Sequence, residues 1–163
     1  MKGIVAYDSE HGSTKMVAEA VAEQIRSEGH EAEIINVKED RAAQPKGDFL
    51  FIGSPTRAGR MTGPTKRFLE DLKVADWNGK PVVVFDTWGP VANDAEKLRK
   101  YEERMKDDPK GAAPRLKEIA QERGLSVRPE MLRLNVTGMW GPLAADGPQR
   151  AKEFTRKFLA SLK

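Results

Sequence analysis

Short apolar runs alternate along the chain with longer stretches in which apolar residues recur every three or four positions. The short runs are apolar at consecutive positions, which is typical of parallel strands covered by helices on both faces. The longer stretches predict amphipathic helices, the first with Val17, Val21 and Ile25 on one face. The pattern therefore predicts alternating strands and helices.

The helix boundaries follow from glycine and proline positions. Gly29 ends the first helix, Pro64 suits the first turn of the second, and Asp146 is the expected N-cap of the last. The predicted strands are 3–7, 31–37, 48–53, 81–86 and one within 125–136, and the predicted helices are about 13–28, 65–73, 93–108, 112–123 and 147–162.

Two predicted helices follow the fourth strand, where a single crossover helix would be enough. Residues 93 to 110 are therefore interpreted as a helical insertion, with Leu98, Tyr101 and Met105 forming a stripe that docks near the end of the fourth strand. The alternative is a solvated helix with one packed stripe. The whole pattern predicts one domain, residues 1–163, with an α/β fold: a three-layer α/β/α sandwich around a doubly wound five-stranded parallel sheet.

Ligands of such sheets bind beyond the carboxyl ends of the strands, so the loops after strands one, three and four are the candidate site. The residue composition limits the reactions that this candidate site could support. The 163 residues include 28 basic and 25 acidic side chains, a net charge of +3, with no cysteine and two histidines. Thiol chemistry, iron–sulfur ligation and a protein-only metal site are therefore not expected. Any redox chemistry must come from a bound cofactor.

We expect no signal peptide, because the first apolar strand begins just after Met1, and no membrane span, because the apolar runs are short. A cytoplasmic location is the corresponding expectation. The sequence pI is about 9.1, but basic and acidic residues are interspersed and no nucleic-acid motif is present, so a nucleic-acid partner is not favoured.

The loop after strand one is rich in hydroxyl groups. Hydroxyls and backbone N–H groups at a helix N-terminus form an anion site without lysine. The loop lacks both the Walker A and the dinucleotide patterns, so a monophosphate fits best. The alternatives are that Ser13 or Thr14 only caps the helix, or that Asp8, Ser9 and His11 form a hydrolase triad, which one tight loop can hardly align. The candidate residues are Ser9, Glu10, His11, Gly12, Ser13 and Thr14.

The loops after strands three and four have a different character. Residues 54–67 carry four cations and no acid, with a rigid Pro55–Gly59 segment that can present backbone N–H groups to a planar ligand. Trp88 can offer a flat apolar face to a heteroaromatic ring, although packing on the sheet end is the alternative. A second Trp-Gly-Pro triplet includes Trp140, for which packing is predicted.

Together these loops resemble the flavodoxin family. Its N-terminal signature is matched by Tyr7, Ser9, Gly12, Thr14, Ala18 and Val21, with Ala6 smaller than usual. The segment Gly53–Gly59, followed by Met61, Phe68 and Leu69, resembles the flavin-contacting loop of the quinone-reductase branch, with Ala58 where an aromatic residue is usual.

The resemblance implies a sheet of strand order 2-1-3-4-5 and bound FMN. By position, the first loop would hold the ribityl phosphate, and the other two loops would line the isoalloxazine. The implied residues of these two loops are Pro55, Thr56, Arg57, Ala58, Gly59, Thr87, Trp88 and Gly89.

Three functions remain open on the sequence. The favoured one is an FMN-binding electron carrier that serves redox protein partners, for which the basic balance is compatible with acidic partners and no catalytic side chain is needed. The second is an NAD(P)H:quinone oxidoreductase, with Arg57 and Arg60 binding a nucleotide phosphate. The third is a regulatory or binding module of the same fold without turnover.

Overall fold

The computed structural model describes residues 1–90, 94–138 and 141–162. Residue 93, the predicted start of the insertion, and Trp140 lie outside the described residues. In chain order the elements are β1 (Lys2–Tyr7), α1 (Ser13–Ser27), β2 (Glu31–Asn36), β3 (Phe49–Pro55), α2 (Gly63–Asp71), a 3-10 turn (Val74–Trp77), β4 (Pro81–Trp88), α3 (Ala95–Met105), α4 (Ala112–Glu122), β5 (Ser126–Val127), β6 (Leu132–Asn135) and α5 (Gly147–Ala160).

The parallel sheet has the order β2-β1-β3-β4-β5, which confirms the predicted fold class and strand order. The predicted fifth strand is divided into two. β5 pairs with the beginning of β4 and β6 with its end, so both extend the same edge. Pro129 lies between them and has no N–H to continue a ladder, which accounts for the interruption.

Helices cover both faces of the sheet. One core joins the sheet to α1 and α5 and includes Phe49, Phe51 and Phe158. The other joins it to α2 and α4 and includes Leu69 and Trp77. Because these layers bury nearly every side chain of β1, β3 and β4, the carboxyl ends of those strands meet at one rigid edge.

The predicted N-cap position of Asp146 is confirmed, whereas one expectation about the cap of α1 and one about a strand end are corrected. Gly12 occupies the N-cap of α1, so neither Ser13 nor Thr14 caps that helix. Asp146 stands at the N-cap of α5, but its side chain makes no capping hydrogen bond. β4 continues through Trp88 because its final residues pair with β6, which places Thr87 and Trp88 at the strand end instead of in a loop.

The carboxyl end of β4 carries a buried ion pair. The Arg133 guanidinium donates to both carboxylate oxygens of Asp86, through Nε at 3.1 Å and through a terminal nitrogen at 3.0 Å. Asp86 is fully buried and Arg133 is 7% exposed. The carboxylate also accepts from the backbone N–H of Ala113, in the first turn of α4, and from the Thr56 hydroxyl. One carboxylate therefore joins β4, β6, α4 and the loop after β3.

The same guanidinium holds residues 94–110, called here the α3 segment. It donates to the backbone carbonyls of Met105, Asp108 and Lys110, at 3.0, 2.8 and 2.6 Å. Met105 is buried, and the Tyr101 ring meets that of Trp88 edge-on, with centroids 6.5 Å apart. The predicted docking of this helix near the end of β4 is confirmed.

Arg133→Met should lower the free energy of unfolding by about 3 kcal/mol or more, because it leaves the Asp86 charge buried without a counterion. Urea denaturation of the purified protein measures this loss. Arg156→Met is the matched control, since Arg156 pairs with Glu153 on the exposed face of α5. Its urea midpoint should be unchanged. Equal shifts for the two variants would contradict the structural role of the buried pair.

Candidate functional site

The loop from β1 to α1 presents unused backbone donors. Gly12 adopts a left-handed conformation, with φ of +94°, and its N–H donates to the Ser9 hydroxyl oxygen at 3.0 Å. The N–H groups of Ser13 and Thr14, in the first turn of α1, have no acceptor among the described residues. Both residues are buried. These two donors at the positive end of a helix form an anion-binding arrangement.

A pair of hydroxyl groups lies beside these donors. The Thr14 and Thr87 hydroxyl oxygens are 2.8 Å apart and buried, so one of them donates to the other. The accepting hydroxyl keeps its own proton, which is available for a ligand oxygen. The end of β4 thus supplies a neutral donor to the loop after β1.

An ion pair links this loop to the loop after β3. Arg57 Nε lies 3.2 Å from Glu10 Oε2, and the same oxygen is 3.9 Å from His11 Nε2. The sequence shows no acid between residues 54 and 67, yet the structure places the Glu10 carboxylate from another loop against Arg57. The positive charge expected from Arg57 is therefore offset locally.

The backbone of the loop after β3 forms a two-residue turn. Arg57 and Arg60 exchange backbone hydrogen bonds of 2.8 and 2.9 Å. Ala58 and Gly59 between them have φ of +49° and +76°, as a tight hairpin turn of the primed type requires. Glycine accepts this geometry freely, whereas Ala58 is held there at a steric cost. The loop is a fixed rim beside the cleft.

Most of the predicted site residues meet in one narrow cleft of about 30 Å³, room for a water or two. The Glu10–Arg57 pair lies at this cleft, since both residues line it. Gly12, Ala58, Gly59 and Trp88 do not line it. The lining residues are Ser9, Glu10, His11, Ser13, Thr14, Pro55, Thr56, Arg57, Thr87, Gly89, Val136 and Gly141.

Val136 and Gly141 are the lining residues that sequence reasoning missed. Both follow β6, the edge strand that pairs with the end of β4. A Cβ on Gly141 would lie 2.8 Å from the Ser13 hydroxyl oxygen, so glycine permits the close approach. The repeated Trp-Gly-Pro triplet was the available signal, because Gly141 belongs to its second copy.

Gly59 and Trp88 line a neighbouring, larger cleft of about 530 Å³. The Arg133 guanidinium lies 5.1 Å from the centre of the Trp88 ring, and Tyr101 meets the ring edge-on. Trp88 therefore does pack on the sheet end, yet it stays partly exposed. Its contact with a cofactor remains a prediction.

No helix within the described residues is long and apolar enough to cross a membrane.

Comparison with known proteins gives a consistent result. A family model described as a flavodoxin domain matches residues 4–122. The chain is 38% identical over 93 residues to a flavodoxin of Aquifex aeolicus (strain VF5), a match covering 54% of this chain and 50% of that protein. The match thus spans about half the length of that curated relative.

Solved structures share the fold. A flavodoxin from the domain Archaea superposes with a TM-score of 0.71 at 22% identity, covering 99% of this chain and 98% of that one. Oxidised flavodoxin 1 from Bacillus cereus gives a TM-score of 0.71 at 22% identity over the whole of both chains. With the family model matching most of the sequence, the chain belongs to the flavodoxin domain family.

Proposed function

We propose that this protein is a cytoplasmic electron carrier that binds FMN and exchanges electrons with redox protein partners. Flavodoxin-family proteins bind FMN, and the family supports an electron-transfer flavoprotein. The single observation that carries the proposal for this chain is the set of unused donors at the start of α1. They suit a terminal phosphate and need no cation to hold it.

The residues at the narrow cleft, called here the phosphate cleft, fit a phosphate monoester. The N–H groups of Ser13 and Thr14 would bind phosphate oxygens, and the Thr14–Thr87 hydroxyl pair would supply a further donor. Ser9 already accepts the Gly12 N–H, which leaves its own proton free to donate. The remaining candidates stay predictions for the ring: Pro55, Thr56, Arg57, Ala58, Gly59, Trp88 and Gly89.

When bound, FMN supplies the one-electron chemistry, so the protein needs only to bind and orient it. Neutral donors would hold the phosphate, so that no positively charged side chain is needed at that position. The rigid turn at Ala58 and Gly59 and the packed Trp88 ring would limit how the isoalloxazine lies. No side chain in this scheme moves a proton or forms a covalent bond.

The purified protein should be yellow, and after denaturation it should release FMN and no FAD. Chromatography of the released flavin against both standards checks this.

Steady-state oxidation of NADPH with benzoquinone should stay far below ordinary enzyme rates of about 10 per second. Turnover at that rate would favour the NAD(P)H:quinone oxidoreductase alternative. Apoprotein that fails to take up FMN would contradict the proposal itself.

Thr14→Val should weaken FMN binding by about tenfold or more, because it removes a buried donor to a charged ligand, worth about 1.5–3 kcal/mol. Riboflavin, which lacks the phosphate, should bind the variant as it binds the wild type. Titration of apoprotein by flavin fluorescence measures both affinities. Thr155→Val is the control, because Thr155 is a buried threonine of α5 whose hydroxyl donates to the Ala151 carbonyl. Parallel losses for FMN and riboflavin would contradict the assignment of Thr14 to the phosphate.

Glu10→Gln should tighten FMN binding roughly threefold to tenfold at low ionic strength, since the Glu10 carboxylate repels a phosphate dianion by about 1 kcal/mol. The variant also removes the carboxylate charge that faces Arg57 Nε. Glu19→Gln, an exposed acid on α1 that faces Lys15, is the charge-matched control and should change little. Weaker binding by Glu10→Gln would mean that the carboxylate assists the cofactor instead of competing with it.

A further inference from the structure

The larger cleft beside Trp88 is lined by cations from four separate elements. Arg60 comes from the turn after β3, Lys66 from α2, Lys110 from the α3 segment and Arg115 from α4. No Asp or Glu is among the described residues that line it. The apolar part of the wall comes from Met61, Trp88 and Pro109.

Not every cleft of the described structure has this excess of positive charge. A groove between the α3 segment and α5 is lined by four cations and four acids, which balance. In the basic cleft, Arg115 pairs with Glu118 at 2.7 Å, but Arg60, Lys66 and Lys110 make no ion pair with a described residue. Gathering like charges without counterions costs stability, and an anionic partner offsets that cost.

Two of the cations lie on a fixed backbone. The Lys110 carbonyl accepts from buried Arg133, and the Lys110 N–H donates to the Asp108 carboxylate at 2.9 Å. Arg60 closes the tight turn after β3 through two backbone hydrogen bonds. The positions of both residues are therefore set before any partner arrives, which lowers the ordering cost of binding.

We propose that the basic cleft is the docking site for an acidic surface loop of the protein's redox partner, with partner carboxylates between Arg60 and Lys110. This inference rests on the proposed function. Gly59 and Trp88, which are predicted to face the flavin, line the same cleft. A partner bound there would bring its redox centre towards the ring, so that one electron could pass directly between the two centres. The α3 segment completes the cleft by contributing Pro109, Lys110 and Gly111.

The test follows single-electron reduction of the FMN-loaded protein by a reduced ferredoxin of strongly negative net charge, in stopped flow at low ionic strength. Lys110→Glu should slow the second-order rate about fivefold or more, and Arg60→Glu/Lys110→Glu about twentyfold, because steering by surface charge changes such rates by 10–10³. High salt should remove the differences. Surface plasmon resonance of the same pair should show the matching loss of affinity.

Lys46→Glu is the control. Lys46 is exposed and precedes β3, so it lies at the amino-terminal end of the strands, and its substitution changes the net charge by the same amount. Equal rates for Lys110→Glu and Lys46→Glu would overturn the docking site. Pyrophosphate that binds the wild type but not Lys110→Glu, and yet leaves the electron-transfer rate unchanged at constant ionic strength, would also overturn it in favour of a small-anion site. Because FMN uptake and reduction by dithionite are measured on the same samples, failure of the electron-carrier proposal is recognised separately.

Discussion

The carboxylate of Asp86 determines how the functional edge of this protein is assembled. It is fully buried at the end of the central strand β4, so its charge must be compensated within the fold. Arg133 supplies the counterion, and the hydrogen-bonding capacity that remains on the guanidinium is used by three carbonyls of the α3 segment. The α3 segment and the start of α4 are thus ordered around one ion pair.

The ion pair also supports both clefts. Thr56, which bonds to Asp86, belongs to the loop that lines the phosphate cleft, and its hydroxyl oxygen accepts the Ala112 N–H. Lys110, whose carbonyl bonds to Arg133, belongs to the basic cleft. One buried network therefore supports both clefts, while its own charges remain buried. The charge that each surface presents is decided by other residues.

Much of the fold was predictable because burial on both faces leaves a strong signal in the sequence. The runs at 49–52 and 82–85 are buried and form central strands, as their apolar pattern predicted. The hydroxyl-rich loop was also found, because its residues are neighbours in the chain. Arg133 gave no such signal, since its burial depends on Asp86, which is 47 positions away. The Glu10–Arg57 pair has the same property, because the two residues come from different loops.

The two proposed sites would separate two kinds of anion recognition that a single basic site would merge. At the phosphate cleft the donors are backbone N–H groups and hydroxyls, and the nearby cation Arg57 is paired with Glu10. At the basic cleft the cations are exposed and act through longer-range fields. Short neutral hydrogen bonds in a buried site are screened little by salt, whereas exposed charges are screened strongly. In the proposed scheme, a cofactor held by the first kind of contact would stay bound while a partner held by the second associates and leaves, which is the behaviour that an electron carrier requires.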